Sequence, residues 1–365
     1  MVVLLWWFTG AGAVVRLGKS HEEWTRRRVG TYRLLLALAV LYSHAFGAVL
    51  GMNFGVVAVI SFFVISGYVM KLLYSAYYQP TRDIRGFYAD RALRLFPQFL
   101  FYFVLTVLLW KLLGFKSVFL TNLTAWKVVG TVTMLPLGFF MYWPEIALYV
   151  PAAWSLGLEL TFYLAFPFFV MAPSAWRTAI VLASMLVAAA AFLGLIDPDI
   201  FGYRLLPGTF FIFAAGAALA ARDWRLPVAT ALIGAGGFVI ASAYLPLPYN
   251  REVFLGAAIG VAAVAILRHK RFSRLDEFLG NISYGVFLNH FILIWLCERF
   301  GLWMPLWVPS GSIALAAASY WICEHPAMLY RQRWRRERAA TLAATPGRPK
   351  LFQADRPRAA ASTKN

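Results

Sequence analysis

Between Thr31 and Met328 the chain is a succession of apolar stretches, most of bilayer-crossing length, separated by short polar or basic breaks. A stretch of about 20 apolar residues in lipid can satisfy its own backbone N–H and C=O groups only as a helix. The stretches fall near 32–50, 54–75, 94–113, 152–172, 178–196, 205–221, 226–244, 252–267, 279–297 and 308–328. The pattern predicts an all-α, polytopic integral-membrane helical bundle of about ten transmembrane helices. Composition agrees: 61% of residues are hydrophobic and 14% charged, whereas a soluble domain is nearer half apolar and about a quarter charged.

The formal net charge of +18 has to be read in that setting. It points to topology and to contacts with anionic lipid or ligand, and not to nucleic acid. "RRRVGTYR" precedes the first stretch, and "TRDIRGFYADRALR", "SAWR", "ARDWR", "RHKRFSR" and "RQRWRRER" follow the second, fourth, sixth, eighth and tenth. Every even-numbered exit is basic, which by the positive-inside rule places both termini in the cytoplasm. The opposite connections, such as "IDPD" and "LPLPYNRE", carry few Lys or Arg.

Three regions follow. Residues 1–30 form an N-terminal cytoplasmic or interfacial segment, 31–328 the transmembrane domain, and 329–365 a basic tail whose Ala, Pro and Thr content predicts disorder. The opening "MVVLLWWFTGAGAVV" is short for a span and lacks a signal peptide's basic leader. It reads as an interfacial helix, a marginal extra span or a mis-called start codon. Segment 127–143 is apolar but contains Pro136, so it reads either as a full span or as a re-entrant, broken helix. Cys297 and Cys323 offer neither a disulfide framework nor a metal spacing, and no metal site is expected. The transmembrane region has no internal repeat of the kind many transporters show.

Ionisable groups inside apolar helices are expensive and are functional candidates by default. In "RLLLALAVLYSH", Arg33 and His44 are eleven residues apart, close to three full turns. They share one helix face, about 16 Å apart along the axis. Glu159 lies in "PAAWSLGLELTFYLAFPFFV" with Trp154, Ser155 and Tyr163, while Ser66 lies in "SFFVISGYVM". Tyr284 and His290 belong to "NISYGVFLNHFILIW" and Glu324 to "YWICEHP". A lone intramembrane histidine is more often a packing residue than a catalyst. Ser66 could bond a carbonyl one turn back, and Glu159 could pair with a buried arginine. His290 and Glu324, near span ends, fit packing or interface roles better. In "RALRLFP", Arg91 and Arg94 are neighbours on one helix face. They suit a topology anchor or a fork that grips phosphate bidentately.

Taken in order, these stretches resemble the membrane acyltransferase-3 family, which includes O-antigen and exopolysaccharide O-acetylases. "RLLLALAVLYSH" resembles its Arg, ten residues, His signature, and "AVISFFVISGYVM" its FFxxSG segment. "RALRLFP" is similar to its RxxRxxP element, "WSLGLELTFYLAFP" to WSLxxExxFY, and "ISYGVFLNH" and "SYWICEHP" to its late segments. Many members carry an Asp ahead of the FF pair where this chain has Ile60 and Ser61, and a Tyr where it has Phe287.

The resemblance implies transfer of an acyl group, usually acetyl, from cytoplasmic acyl-CoA to a hydroxyl of a cell-surface or exported glycan. The setting would be the bacterial inner membrane. The donor is a substrate; no permanently bound cofactor is implied. His44 is then the expected general base and Glu159 its partner or an acceptor-binding group. Arg33, Arg91 and Arg94 would meet acyl-CoA. Expected partners are acyl-CoA, a glycan or lipid-linked oligosaccharide, and membrane lipid. Two other readings stay open: the same chemistry on a lipid or small-molecule acceptor, and a proton-coupled transporter using His44 and Glu159.

Overall fold

The computed structural model describes residues 29–143, 146, 148–269 and 273–344, and among them every regular element is helical. The helices are α1 (Gly30–Phe46), α2 (Phe54–Leu73), α3 (Ile84–Leu113), α4 (Ala125–Val132), α5 (Trp154–Met171) and α6 (Ser174–Phe192). They continue as α7 (Leu206–Ala220), α8 (Arg225–Ala243), α9 (Asn250–Leu267), α10 (Arg274–Phe300), α11 (Met304–Ser319) and α12 (His325–Ala344). Among the described residues, nine helical stretches are long and apolar enough to cross a bilayer, and the 17-residue α1 occupies the remaining expected span.

Helix α2 runs through the middle, packed on α1, α7 and α9, while α10 packs on α1 and α11. Backbones approach closely where small residues meet. A Cβ on Gly67 would stand 1.9 Å from the Phe213 carbonyl, and one on Gly216 would stand 2.0 Å from that of Val64. Such contacts substitute for the hydrophobic drive that helices lack in lipid. The start of α1 has no cap of its own. Asp276 of α10 accepts from the Gly30 N–H (3.1 Å), the Thr31 N–H (2.8 Å) and the Thr31 hydroxyl (2.6 Å). At its other end α1 stops at Gly47, in a positive-φ conformation (83°) that favours glycine. Asn53 then caps α2 through the Gly55 and Val56 N–H groups, and Glu252 of α9 accepts from the Asn53 N–H at 3.0 Å. The start of α1 is thereby pinned to α10, and the start of α2 to α9.

One alternative left open by the sequence is resolved, and two expectations change. Segment 127–143 is a broken element: α4 ends at Val132 and a short 3₁₀ turn, Leu135–Phe139, follows. The turn packs against the start of α5, where a Cβ on Gly157 would lie 2.2 Å from the Gly138 nitrogen. Helix α3 begins at Ile84 rather than near 94, because Asp83 caps it and its Arg91 and Arg94 are paired with Asp90 and Glu324. The basic stretch after the last span, expected to be disordered from 329, is helical as far as Ala344. Arg338 Nη2 reaches Asp83 at 2.8 Å, and Arg331 and Arg335 face Asp90, so this helix is docked on α3 by charge. Residues 345–365 and the 1–28 portion of the N-terminal segment lie outside the described residues.

Wide π-helical turns interrupt the chain at Tyr74–Tyr78, Ile200–Arg204 and Tyr320–Glu324. Such turns re-aim side chains and concentrate at functional sites. Two of them end on the charged residues Arg204 and Glu324.

Candidate active site

His44 sits in the last turn of α1 and is solvent-accessible, whereas His290 of α10 is wholly buried. Their rings are nearly coplanar, 4° apart, with His44 Nδ1 2.9 Å from His290 Nε2. His290 Nδ1 in turn lies 3.2 Å from the Val286 carbonyl oxygen. A carbonyl only accepts, so in neutral His290 the hydrogen is on Nδ1 and Nε2 carries the lone pair. That lone pair accepts from His44 Nδ1–H. His44 is left with its Nε2 lone pair directed away from the pair, the arrangement a general base needs. Phe291 flanks both rings, with centroids 4.9 Å from each. The structure thus brings His290, wholly buried, beside His44.

Arg204 is close to this end. It lies within electrostatic reach of His44, and its Nε donates to Asp199 at 2.8 Å. Its guanidinium stands 4.8 Å from the Trp154 ring centroid and 5.5 Å from that of Phe140. Ser155 spends its hydroxyl on the Ala152 carbonyl (3.1 Å), a local bond within the first turn of α5.

Glu159 is held by two hydroxyls. Ser66 Oγ and Tyr163 Oη both donate to its Oε1. Its hydrogen-bond partners are therefore these two hydroxyls rather than the His44 imidazole. Tyr163 lies beside Arg91, and Glu159 is within electrostatic reach of Arg33. The carboxylate belongs to the arginine end of α1. The reason is depth: Ser66 lies twelve residues into α2 from Phe54, about 18 Å along its axis, far below the level of His44.

Arg33, half-buried three turns from His44, lies within reach of Arg94, Glu324, Glu159 and Tyr163. Arg94 donates to Glu324 Oε1 and sits 5.2 Å from the Tyr284 ring centroid, while the Tyr284 hydroxyl donates to the Leu95 carbonyl at 2.9 Å. Arg91 donates to Asp90 Oδ2. The expected Arg91–Arg94 fork is thus divided between two carboxylates, because a buried cation needs a partner and α3 turns the two side chains toward different neighbours. Asp90, Arg204, Arg331 and Arg335 escaped the sequence reading. Each sits in a stretch that looks like an ordinary basic anchor or connection.

Comparison with known proteins bears on the family of the chain. The family profile described as an acyltransferase domain matches residues 30–324. An uncharacterised protein of Aquifex aeolicus (strain VF5) is 31% identical over 163 residues, covering 41% of this chain and 72% of that protein. Nodulation protein 10 of Rhizobium leguminosarum bv. viciae is 25% identical over 367 residues, covering 86% of this chain and 96% of the relative. No solved structure matches. With its helical bundle and the family profile spanning nearly all of it, the chain belongs to the acyltransferase-3 family of membrane acyltransferases.

Proposed function

We propose that the protein is an O-acyltransferase of the bacterial inner membrane. In this reading it moves an acyl group, most simply acetyl, from cytoplasmic acyl-CoA to a hydroxyl of a cell-surface or exported glycan, or of its lipid-linked precursor. The observation that carries the reading is the His44–His290–Val286 chain, which leaves an accessible, neutral imidazole nitrogen as base. Membership of an acyltransferase family favours transfer over proton-coupled transport.

The steps balance with the residues at hand. His44 Nε2 takes the acceptor hydroxyl proton as the oxygen attacks the thioester carbonyl. The tetrahedral adduct then collapses, the new ester C–O bond is kept, and the C–S bond breaks. The thiolate leaves with the proton returned from His44. His290 keeps the His44 ring oriented and its Nδ1 hydrogen-bonded while the imidazolium exists. The basic ends of α3 and α12 would face the cytoplasm by the positive-inside rule, on the side where acyl-CoA is available. The bulky nucleotide would stay there. The thin pantetheine arm would follow the α1 face from Arg33 toward His44, a distance of about 16 Å.

Proteoliposomes given radiolabelled acetyl-CoA and a cell-surface glycan test this directly. Labelled ester on the glycan and stoichiometric release of coenzyme A are expected. Absence of both, with proton-coupled solute uptake instead, would replace the enzyme by a transporter. Mass spectrometry of surface polysaccharide from cells with and without the gene then identifies the acylated sugar.

A further inference from the structure

Helix α12 carries its arginines on two faces. Arg331, Trp334, Arg335 and Arg338 turn inward, whereas Arg333, Arg336 and Glu337 are exposed. Arg331 and Arg335 are four apart and so share a face. Their side chains are 13% and 14% exposed, and both aim at Asp90, which is 0% exposed. Arg91 has taken one oxygen of that carboxylate; the other lies 3.6 Å from Arg331 Nε and 3.4 Å from Arg335 Nε. Those two distances are ion pairs without good hydrogen bonds. The buried Nε atoms of Arg91 and Arg331 have no hydrogen-bond partner at all.

The charges do not balance. Arg331 is within electrostatic reach of Asp90, Arg91, Arg94 and Arg335, and Arg33 is within reach of Arg94, Glu324 and Glu159. Among the described residues, five guanidiniums (33, 91, 94, 331, 335) thus face three carboxylates (90, 159, 324), a formal excess of two positive charges in a largely buried place. Desolvated guanidiniums with unused donors call for an anion rich in oxygen acceptors, and planar forks suit phosphate. A surface-seeking polybasic tail would expose these side chains instead.

We propose that Arg331 and Arg335 of α12, together with Arg91, form the site that receives the phosphate groups of the acyl donor, with Asp90 gathering the three guanidiniums into one fork. This rests on the acyl-CoA reading above and adds the helix after the last span to the donor site. The remaining Asp90–Arg contacts keep the carboxylate paired when one arginine is removed, so single variants should retain the fold.

The test uses the full chain in nanodiscs of phosphatidylcholine alone, titrated with coenzyme A and with 3′-dephospho-coenzyme A. Losing one charge-assisted contact should weaken coenzyme A binding about tenfold or more in Arg331→Gln and in Arg335→Gln. Binding should also become less sensitive to salt, and the wild-type preference for acetyl-CoA over S-acetylpantetheine should shrink in KM. Arg331→Lys, which keeps the charge without the fork, should fall between. Wild-type coenzyme A affinity and salt dependence in both Gln variants would overturn the proposal. So would a selective loss of phosphatidylglycerol binding with coenzyme A unaffected, since the anion would then be a lipid headgroup. A wild-type protein that ignores coenzyme A but uses another acyl donor would overturn the donor reading itself, and this proposal with it.

Discussion

At one end of α1 two imidazoles share a single hydrogen and lean on one carbonyl; at the other, five guanidiniums and three carboxylates crowd together. The histidine end is a short linear chain in which each atom has one possible role, so its chemistry is brittle. The arginine end is a mesh in which each carboxylate has more than one neighbour, so any one member can be lost with less damage. The difference predicts how substitutions should rank. Changes at the histidine pair should strike turnover, and changes in the mesh should strike donor affinity.

The largest effect is expected at His44. His44→Ala removes the base, and loss of general-base catalysis costs roughly a hundredfold to ten-thousandfold. Membrane abundance and coenzyme A binding should stay near wild type, because the imidazole is accessible and makes little of the core. Turnover within a few-fold of wild type would remove His44 from the mechanism and leave the pair a packing contact.

Next comes His290, acting through His44 as a positioning residue. His290→Phe keeps ring volume but removes the acceptor for His44 Nδ1–H, freeing the wrong tautomer; a loss of about a hundredfold in kcat is expected, with donor KM unchanged. His290→Gln places a carbonyl oxygen near the lost acceptor and should recover part of the rate. Equal loss in both variants would mean that His290 supports the fold and not the tautomer.

How far the sequence anticipates this picture depends on range. The Arg33–His44 spacing is local and periodic, so their shared face is legible from helix geometry alone. The span pattern is legible for the same reason, since lipid leaves the backbone one choice. The partnership of His44 with His290 joins residues 246 apart, and nothing in either local pattern encodes it. Glu159 shows the converse. Its place in α5 was readable, yet its partner Ser66 depends on how α2 and α5 are staggered, which a single chain does not display. The tail is the clearest case. Its composition resembles that of a disordered segment, but Asp83 and Asp90, some 240 residues earlier, give its arginines a reason to fold back.

A smaller effect, of a different kind, is expected in the mesh. Arg94→Lys keeps a cation for Glu324 but loses the guanidinium plane against Tyr284 and any bidentate grip. Donor KM should rise about tenfold while kcat falls less, the signature of lost donor binding. An unchanged donor KM would assign Arg94 to the structural pair with Glu324 alone.

The smallest effect should come from Glu159→Gln, and it separates three roles for that carboxylate. The amide oxygen can still accept from Ser66 or Tyr163, so the tie between α2 and α5 survives in part, while the charge facing Arg33 is lost. A net contribution of about 1 kcal/mol for such a contact corresponds to a few-fold change in rate. Because Glu159 lies at the arginine end, acyl-CoA hydrolysis by water and transfer to sugar should fall together and by the same factor. If it held the acceptor instead, hydrolysis would be spared and transfer alone would suffer. If it served only to join helices, the protein would be depleted from the membrane, with normal specific activity in what remained. One preparation assayed for hydrolysis, transfer and membrane abundance distinguishes these outcomes, and wild-type values for all three would leave Glu159 with no part in the comparison between the two ends.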